Sequence, residues 1–571
     1  MTEMHYSEFV EVYEELGATT KMLEKTAILA KFLEKLKEKG KSEWIYLLRG
    51  RVVPEYDPAE FGISEKLIAK AIAKASGVSD EEIMKQFRKV GDFGEIAVSL
   101  IGKKKQSTLF LRKLTVEKVF ENLKKVMSIF GSGAVDKKLS FVVELLTAAS
   151  GKEAQYIVRT VLGQLRIGMA DGILRDAIAL AFFDGEAKEM AVKLDYVYGL
   201  SNDFAIVFEA AMKGKKALDK VDIALGKPIN VMLPVKVTEI AEAFRIVGKP
   251  ASLEHKYDGF RMIISKKGNE VKLFTRKLEE VTKQFPDVVN VIKKNVKGDN
   301  FMLDSEVVGY EPKTHRYKPF ESISQRIKRK YDIDRLEKEL PVEINVFDVI
   351  FYGGNSEMDK PFTERRKLVE KIIKTEKWKI RPSHQIVTGD EKEAEKFYKE
   401  ALKIGEEGIM FKKLDAPYHA GRRVGYIVKL KPSANDFDLV IVGAEYGRGK
   451  RAGWLTSFIV ACREGHKFVD VGMVSSGLKE KEGSEDEGAI TYNEMTKLLK
   501  PLITKTEGHI AHVQPKVVVS VTYQNIQKSP SYSSGYAMRF PRITAYRPDR
   551  GTSDIATLED VKRESKKGER K

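Results

Sequence analysis

Residues 254–261 read "EHKYDGFR", which sets Lys256, Asp258, Gly259 and Arg261 in the pattern K-x-D-G-x-R. A lysine attacks an electrophile only as the neutral amine, so burial or neighbouring cations must depress its pKa. Arg261 has the charge to do this and also to bind a phosphate. Gly259 permits a tight bend that would turn Lys256 into a cleft. A surface turn with an ion pair carries the same letters, so the companions of this stretch must decide its meaning.

Four further stretches carry groups suited to a nucleotide and its charge. In "FMLDSEVVGY" (301–310), strand alternation puts Asp304 and Glu306 on one face. Two adjacent carboxylates repel unless Mg²⁺ or a ribose hydroxyl binds them, or unless they simply face water. In "EEGIMFKK" (406–413), Glu407 is a candidate metal ligand and Lys412 a candidate phosphate contact. Strict alternation puts these two on opposite faces, so Glu407 enters from the preceding loop or a bulge intervenes. In "GYIVKLKP" (425–432), Lys429 and Lys431 share a face as a phosphate grip, with Arg423 just upstream. "RFPRITAYRPDR" (539–550) packs Arg539, Arg542, Arg547 and Arg550 around Asp549, either as a nucleic-acid patch or as a receiver for a triphosphate leaving group. "GAEYGRGKRAG" near Lys450 fails the phosphate-loop pattern at Ala444 and Arg451 and reads as a basic turn.

Several domains must position these groups, because 571 residues exceed what one core organises. Residues 1–225 read as amphipathic helices; Leu29, Phe32, Leu33 and Leu36 make one apolar stripe. "LGKPINVMLPVKV" (225–237) reads as a linker. Beyond it come short β-rich runs with a few helices, including the hairpin "MIISKKGNEVKLFTR". A second boundary falls near "KLKPSANDFD" (429–438), after which strands and Gly-rich turns suggest a small barrel. The expected domains are therefore 1–225, 226–432 and 433–560, with 561–571 as a solvated, disordered basic tail.

The balance of 100 Lys+Arg against 83 Asp+Glu, net +17, suits a polyanionic partner or a generally basic enzyme. The single cysteine, Cys462, excludes internal disulfides and Cys-based zinc clusters and reads as buried filler. No signal peptide or membrane span is read, so a soluble cytoplasmic protein is expected.

Taken in this order, the stretches resemble the motifs of ATP-dependent DNA ligases, most closely the archaeal and eukaryotic replicative type. "EHKYDGFR" resembles the adenylated-lysine motif, and "LFTRKLEEVTKQFP" the next one, in which Arg276 would contact adenosine or phosphate. "LDSEVVGY", "NVFDVIF", "EGIMFK", "YIVKLKP" and "RFPRITAYRPD" resemble the later ones, while "LRGRVVPEY" and "VLGQLRIGMADG" are similar to the family's DNA-encircling domain. The last motif departs modestly, with Arg550 where Lys is common and Ala545 where some relatives carry Arg. The resemblance implies a multidomain chain: an all-α DNA-binding domain, an α+β nucleotidyltransferase (ATP-grasp-like adenylation) core and a C-terminal OB-fold β-barrel. It implies Lys256 as the nucleophile that takes AMP from ATP, Glu254 reading the adenine edge, Phe347 stacking on the base, and Glu306 and Glu407 holding Mg²⁺. It implies nicked double-stranded DNA as substrate, a monomeric enzyme, and a sliding-clamp peptide at Gln106, Leu109 and Phe110. A capping-type guanylyltransferase, an RNA ligase and a non-catalytic DNA-binding scaffold are the rival readings.

Overall fold

The computed structural model describes residues 3–102, 113–131, 133–318, 320–328, 333–421, 425–432, 435–447, 451, 453–480, 490–507 and 510–569. Two compact units divide the chain. The first holds Met1–Tyr398 and Glu406–Leu430; the second holds Lys399–Gly405 and Lys431–Lys571.

The first unit opens with helices from Tyr6–Ala18 to Phe204–Met212. Leu29, Phe32, Leu33 and Leu36 are all buried on the helix Met22–Lys39, as their spacing predicts. Sequence signals set helix ends directly: Ser64 Oγ accepts from Leu67 N at the start of Glu65–Ser76, and Gly77 closes it at φ +80°. Polar side chains lock the loops of this region. The buried Lys25 ammonium donates to the carbonyls of Ile167 and Gly168. Asp92 caps Gly94 N at 2.8 Å and pairs with Arg159 (2.7 Å) and Arg166 (3.0 Å).

Two sheets follow in the same unit. One has the order β1 (Val235–Val237), β11 (Ile427–Leu430), β10 (Gly408–Lys413), β2 (Ala251–Lys256), β9 (Gln385–Thr388). The other has the order β4 (Glu270–Thr275), β3 (Phe260–Lys267), β5 (Asn300–Gly309), β6 (Val342–Tyr352), β7 (Asn355–Ser356), with β8 (Ile380–Pro382) parallel to β6. The expected hairpin is β3–β4, closed between Lys267 and Glu270 with Gly268 at φ +57°.

Residues 225–237 are not a free linker. Ile229, Val231 and Met232 are buried in one apolar cluster with Leu200 of the helical region, Ile263 and Phe274 of the sheets and Tyr418 of the segment between β10 and β11. Asn230 N donates to Gly199 O at 3.1 Å and Gly226 N to Ser265 Oγ at 2.9 Å. The prolines and glycine that read as a linker sit instead among apolar residues that the two regions bury jointly.

In the second unit β12 (Asn435–Tyr446) is the spine. It pairs along one edge with β13 (Leu455–Glu464) and along the other with β16 (Ile510–Val513) and β17 (Val518–Tyr523). β14 (Lys467–Val474), β15 (Ile503–Glu507) and β20 (Arg542–Tyr546) extend the sheet, and β18 (Ile526–Lys528) pairs with β19 (Tyr536–Met538). Cys462 is buried, as expected. The basic end is not a disordered tail: Leu558–Glu569 is a helix whose Leu558, Val561 and Ser565 are buried at i, i+3 and i+7. Among the described residues, no helix is long and apolar enough to cross a membrane.

Candidate active site

Lys256 ends β2, and its carbonyl accepts from Glu407 N at 2.9 Å. That bond ties the loop ahead of β10 to the lysine and settles how Glu407 reaches the site: it comes from the loop, one residue before Gly408 starts the strand. The Lys256 ammonium forms an ion pair with Glu407, and Glu306 acts on it from β5. Gly259 is required by close approach, because a Cβ there would lie 2.4 Å from Val307 O. The expected need for a special bend is replaced by the need to lay the start of β3 directly against β5.

Electrostatics correct the expectation for Lys256. Burial lowers its pKa, but Glu407, Glu306 and Asp258 together outweigh burial and hold it above the ordinary lysine range. In the nucleotide-free protein the amine is therefore an ammonium. Glu306 is displaced the other way: burial, with Glu407 and Asp304 adding, pushes it up to about 7 against the pull of Lys256 and Arg261.

Arg261 does not act on Lys256 as expected. Its Nε and Nη2 donate to Asp304 at 2.8 and 2.5 Å, and its Nη1 donates to Met232 O at 2.7 Å. Tyr418 OH donates to the same Asp304 at 2.7 Å. A guanidinium so committed is a strut between the segment at Met232 and β5, and no phosphate role rests on it. Asp304 is thus paired within the fold while still adding to the upward shift of Glu306, and Glu306 is the carboxylate of β5 that acts on the lysine.

Deeper on the same sheet face lies a second group. Buried Glu254 accepts from Lys412 Nζ at 2.9 Å and from Ser383 Oγ at 2.8 Å, both on Oε2, while buried Oε1 has no partner among the described residues. Arg366 holds Ser383 through its hydroxyl (3.0 Å) and carbonyl (2.8 Å). Lys412 lies 4.5 Å from the Phe347 ring centroid, and Arg261 lies 5.3 Å from it. Burial lowers the Lys412 pKa despite Glu254. Lys412 is thus the counter-ion of Glu254 beneath an aromatic face, a position that does not support the phosphate role expected for it.

Lys429 stands on β11 in one cross-strand row with Met410 and Glu254. Lys431 begins the second unit. Arg276 is exposed in the turn after β4, a turn held by Leu278 at φ +67°. Arg423 and the peptide of Gln106, Leu109 and Phe110 lie outside the described residues. In the second unit Arg547 pairs with Asp549 (2.6 Å) and Asp438 (3.3 Å), and Arg550 pairs with Asp438 (2.8 Å). Asp438, Ser383, Arg366 and Tyr418 escaped the sequence reading, because each lies outside the motifs and earns its place through a partner distant in the chain.

Glu306 and Glu407 supply hard oxygen donors of the kind Mg²⁺ prefers. Among the described residues no cluster of three or more His, Cys, Asp or Glu is placed to hold a metal. Two carboxylates fit a magnesium ion that shares its coordination with phosphates rather than one caged by protein.

Residues 231–431 match the family model "ATP dependent DNA ligase domain", residues 5–179 match "DNA ligase N terminus", and residues 451–550 match "ATP dependent DNA ligase C terminal region". The DNA ligase of Nanoarchaeum equitans is 45% identical over 563 residues, covering 98% of each chain. That of Thermococcus onnurineus is 40% identical over 564 residues, again covering 98% of each. The solved structure named Pmar-Lig_PreS3 has a similar fold, with a TM-score of 0.57 at 16% identity over 94% of this chain and 99% of that one.

Proposed function

This chain belongs to the ATP-dependent DNA ligase family, and from that premise we propose a role for each residue of the chamber. The enzyme seals nicks in duplex DNA, with ATP as the source of a covalent lysyl-AMP. AMP passes from the lysine to the 5′-phosphate of the nick, and attack by the 3′-hydroxyl on that phosphate releases AMP and closes the strand.

Lys256 is the nucleophile. Its Nζ bonds to the α-phosphorus as the bond to the pyrophosphate leaving group breaks. The observation that carries this reading is the ion pair of Lys256 with Glu407, acted on by Glu306 and on the same sheet face as Glu254 and Lys412, with Phe347 of the other sheet against Lys412. Phe347 offers a ring to the base, and the unpartnered Oε1 of Glu254 offers an acceptor to its amino edge. Glu306 and Glu407 would hold the magnesium ion, which when bound supplies positive charge both to the phosphates and to the carboxylates that otherwise stabilise the ammonium. Until that countercharge changes, the two glutamates keep Lys256 protonated, so the proton must leave before the amine attacks. Lys429, on β11, and Lys431, one residue past its end, are proposed as phosphate contacts on the pattern of their motif, as are Arg423 and Arg276 on theirs.

The second unit is proposed as an OB-fold. Support comes from the bulged, two-edged β12 and from Ile543 N donating to Ser476 O at 3.0 Å, which draws β20 towards the chain leaving β14. The peptide of Gln106, Leu109 and Phe110 is proposed as a clamp-docking segment on its Gln-plus-aromatic pattern. A monomeric, cytoplasmic enzyme completes the proposal.

The test is incubation with α-labelled ATP and Mg²⁺ without DNA. A labelled, acid-labile adduct is expected on the wild type and none on Lys256→Ala; a persistent adduct on the variant refutes the assignment.

A further inference from the structure

Four aromatic rings from two distant segments meet at one end of the sheet that carries Glu306. Tyr310 follows β5 directly, His315 and Tyr317 belong to the turn after it, and Trp378 stands two residues ahead of β8. Ring centroids lie 4.9 Å apart for His315 and Trp378, 5.4 Å for Tyr310 and Trp378, 5.8 Å for Tyr310 and His315, and 5.9 Å for Tyr317 and Trp378. His315 has φ +55° and Trp378 φ +62°. Bulky side chains rarely enter this left-handed region, and strain of this kind gathers where ligands are held. Both segments are pinned. Tyr310 and Tyr317 form an antiparallel bridge, and His315 N donates to Glu311 O at 2.8 Å. Buried Glu343 accepts from Trp378 N at 3.0 Å and from Tyr317 OH.

This group reaches the surface. Tyr310 is buried, Tyr317 and Trp378 are half-buried, and His315 is exposed. Lys313, Arg316, Lys377 and Lys379 are exposed on the same two segments, and Lys377 Nζ lies 5.9 Å from the Trp378 ring centroid. The carboxylates of these segments are committed, Glu311 to Lys318 at 2.6 Å and Glu376 to Lys294 at 3.1 Å. Aromatic faces rimmed by cations suit a ligand that carries flat bases on a phosphate chain. In a duplex each base face is covered by its neighbour, so the bases that can stack here are unpaired. We propose that Trp378 and His315 form a stacking site for single-stranded DNA, with Lys313, Arg316, Lys377 and Lys379 along its phosphates. Tyr317 meets Tyr257 at 6.4 Å, next to Lys256, so the platform borders the chamber. Its role goes beyond sealing: it holds an unpaired stretch of strand beside the nick.

Binding of the full-length protein to a short thymidine oligomer, and to an abasic oligomer of equal length and charge, tests this. The wild type is expected to bind the thymidine oligomer about tenfold more tightly. Trp378→Ala is expected to lose that factor with the thymidine oligomer and nothing with the abasic one, so that the ratio collapses. Trp378→Phe, which keeps a ring, should retain most of the ratio, and the quench of tryptophan fluorescence that the thymidine oligomer causes in the wild type should largely vanish from it. Lys377→Gln with Lys379→Gln should weaken both oligomers alike, because the phosphates survive when the bases are removed. The proposal is overturned if the oligomer leaves wild-type fluorescence unchanged, or if Trp378→Phe is quenched as strongly as the wild type. It is also overturned if Trp378→Ala weakens blunt duplex by the same factor as the thymidine oligomer, which would make the ring a duplex contact.

Discussion

Glu306→Gln is expected to make the metal-free protein more stable at alkaline pH while removing its activity. Burial pushes the Glu306 carboxyl from its ordinary 4.5 up to about 7. An acid whose pKa is raised by folding binds its proton more tightly in the folded state. Its stability contribution is complete below pH 4.5 and is lost as pH rises to about 7. At about 1.4 kcal/mol for each unit of pKa, the ionised Glu306 costs about 3 kcal/mol above pH 7. Gln keeps the shape and never ionises, so the variant escapes that loss. For a domain of this size about 3 kcal/mol corresponds to a rise of about 5–10 °C in the melting transition. The assay is calorimetry of wild type and variant with a chelator present, at about pH 4.5 and pH 8, alongside adduct formation with magnesium restored. A variant that melts lower at the alkaline pH, or gains equally at both, refutes the reasoning. So does retained adenylation.

Three further outcomes follow from the same geometry. Asp304→Asn leaves the Arg261 guanidinium buried without its counter-charge and should cost about 3–5 kcal/mol of stability, read as a lowered melting transition; unchanged melting with a raised magnesium requirement would instead make Asp304 a metal ligand. Gly259→Ala drives a Cβ to 2.4 Å from Val307 O, displaces the loop after Lys256, and should slow adduct formation by roughly tenfold to a hundredfold. Raising salt from about 50 to 200 mM should weaken binding of nicked duplex by about a thousandfold while DNA-free adenylation changes little; parallel loss of both would show that salt acts on the fold.

Local order was legible in the chain because it is written in local pattern. The stripe of Leu29, Phe32, Leu33 and Leu36, the Ser64 and Gly77 helix boundaries and the Gly268 hairpin each follow from neighbours a few residues apart. Failures came where burial was decided from afar. Residues 225–237 carry linker letters, yet their apolar side chains fill a space that exists only between helices and sheets. The end of the chain carries charge, yet Leu558, Val561 and Ser565 have a surface to bury against. The C-terminal strands were found, but not that β12 is bulged against β13 on one edge and divides its other edge between β16 and β17.

At the site, the letters determined the kind of chemistry: an amine, carboxylates and cations in a fixed order are a nucleotide-handling set whatever their exact placement. Tertiary structure decided their charge and their pairing. Arg261 reads as a partner of Lys256 five residues away, but the sheet gives it to Asp304, forty-three residues on. Lys412 reads as a phosphate contact, but the fold buries it against Glu254. A pKa depends on desolvation and on charges within a few ångströms, and neither quantity exists along the chain until strands from distant segments are laid side by side.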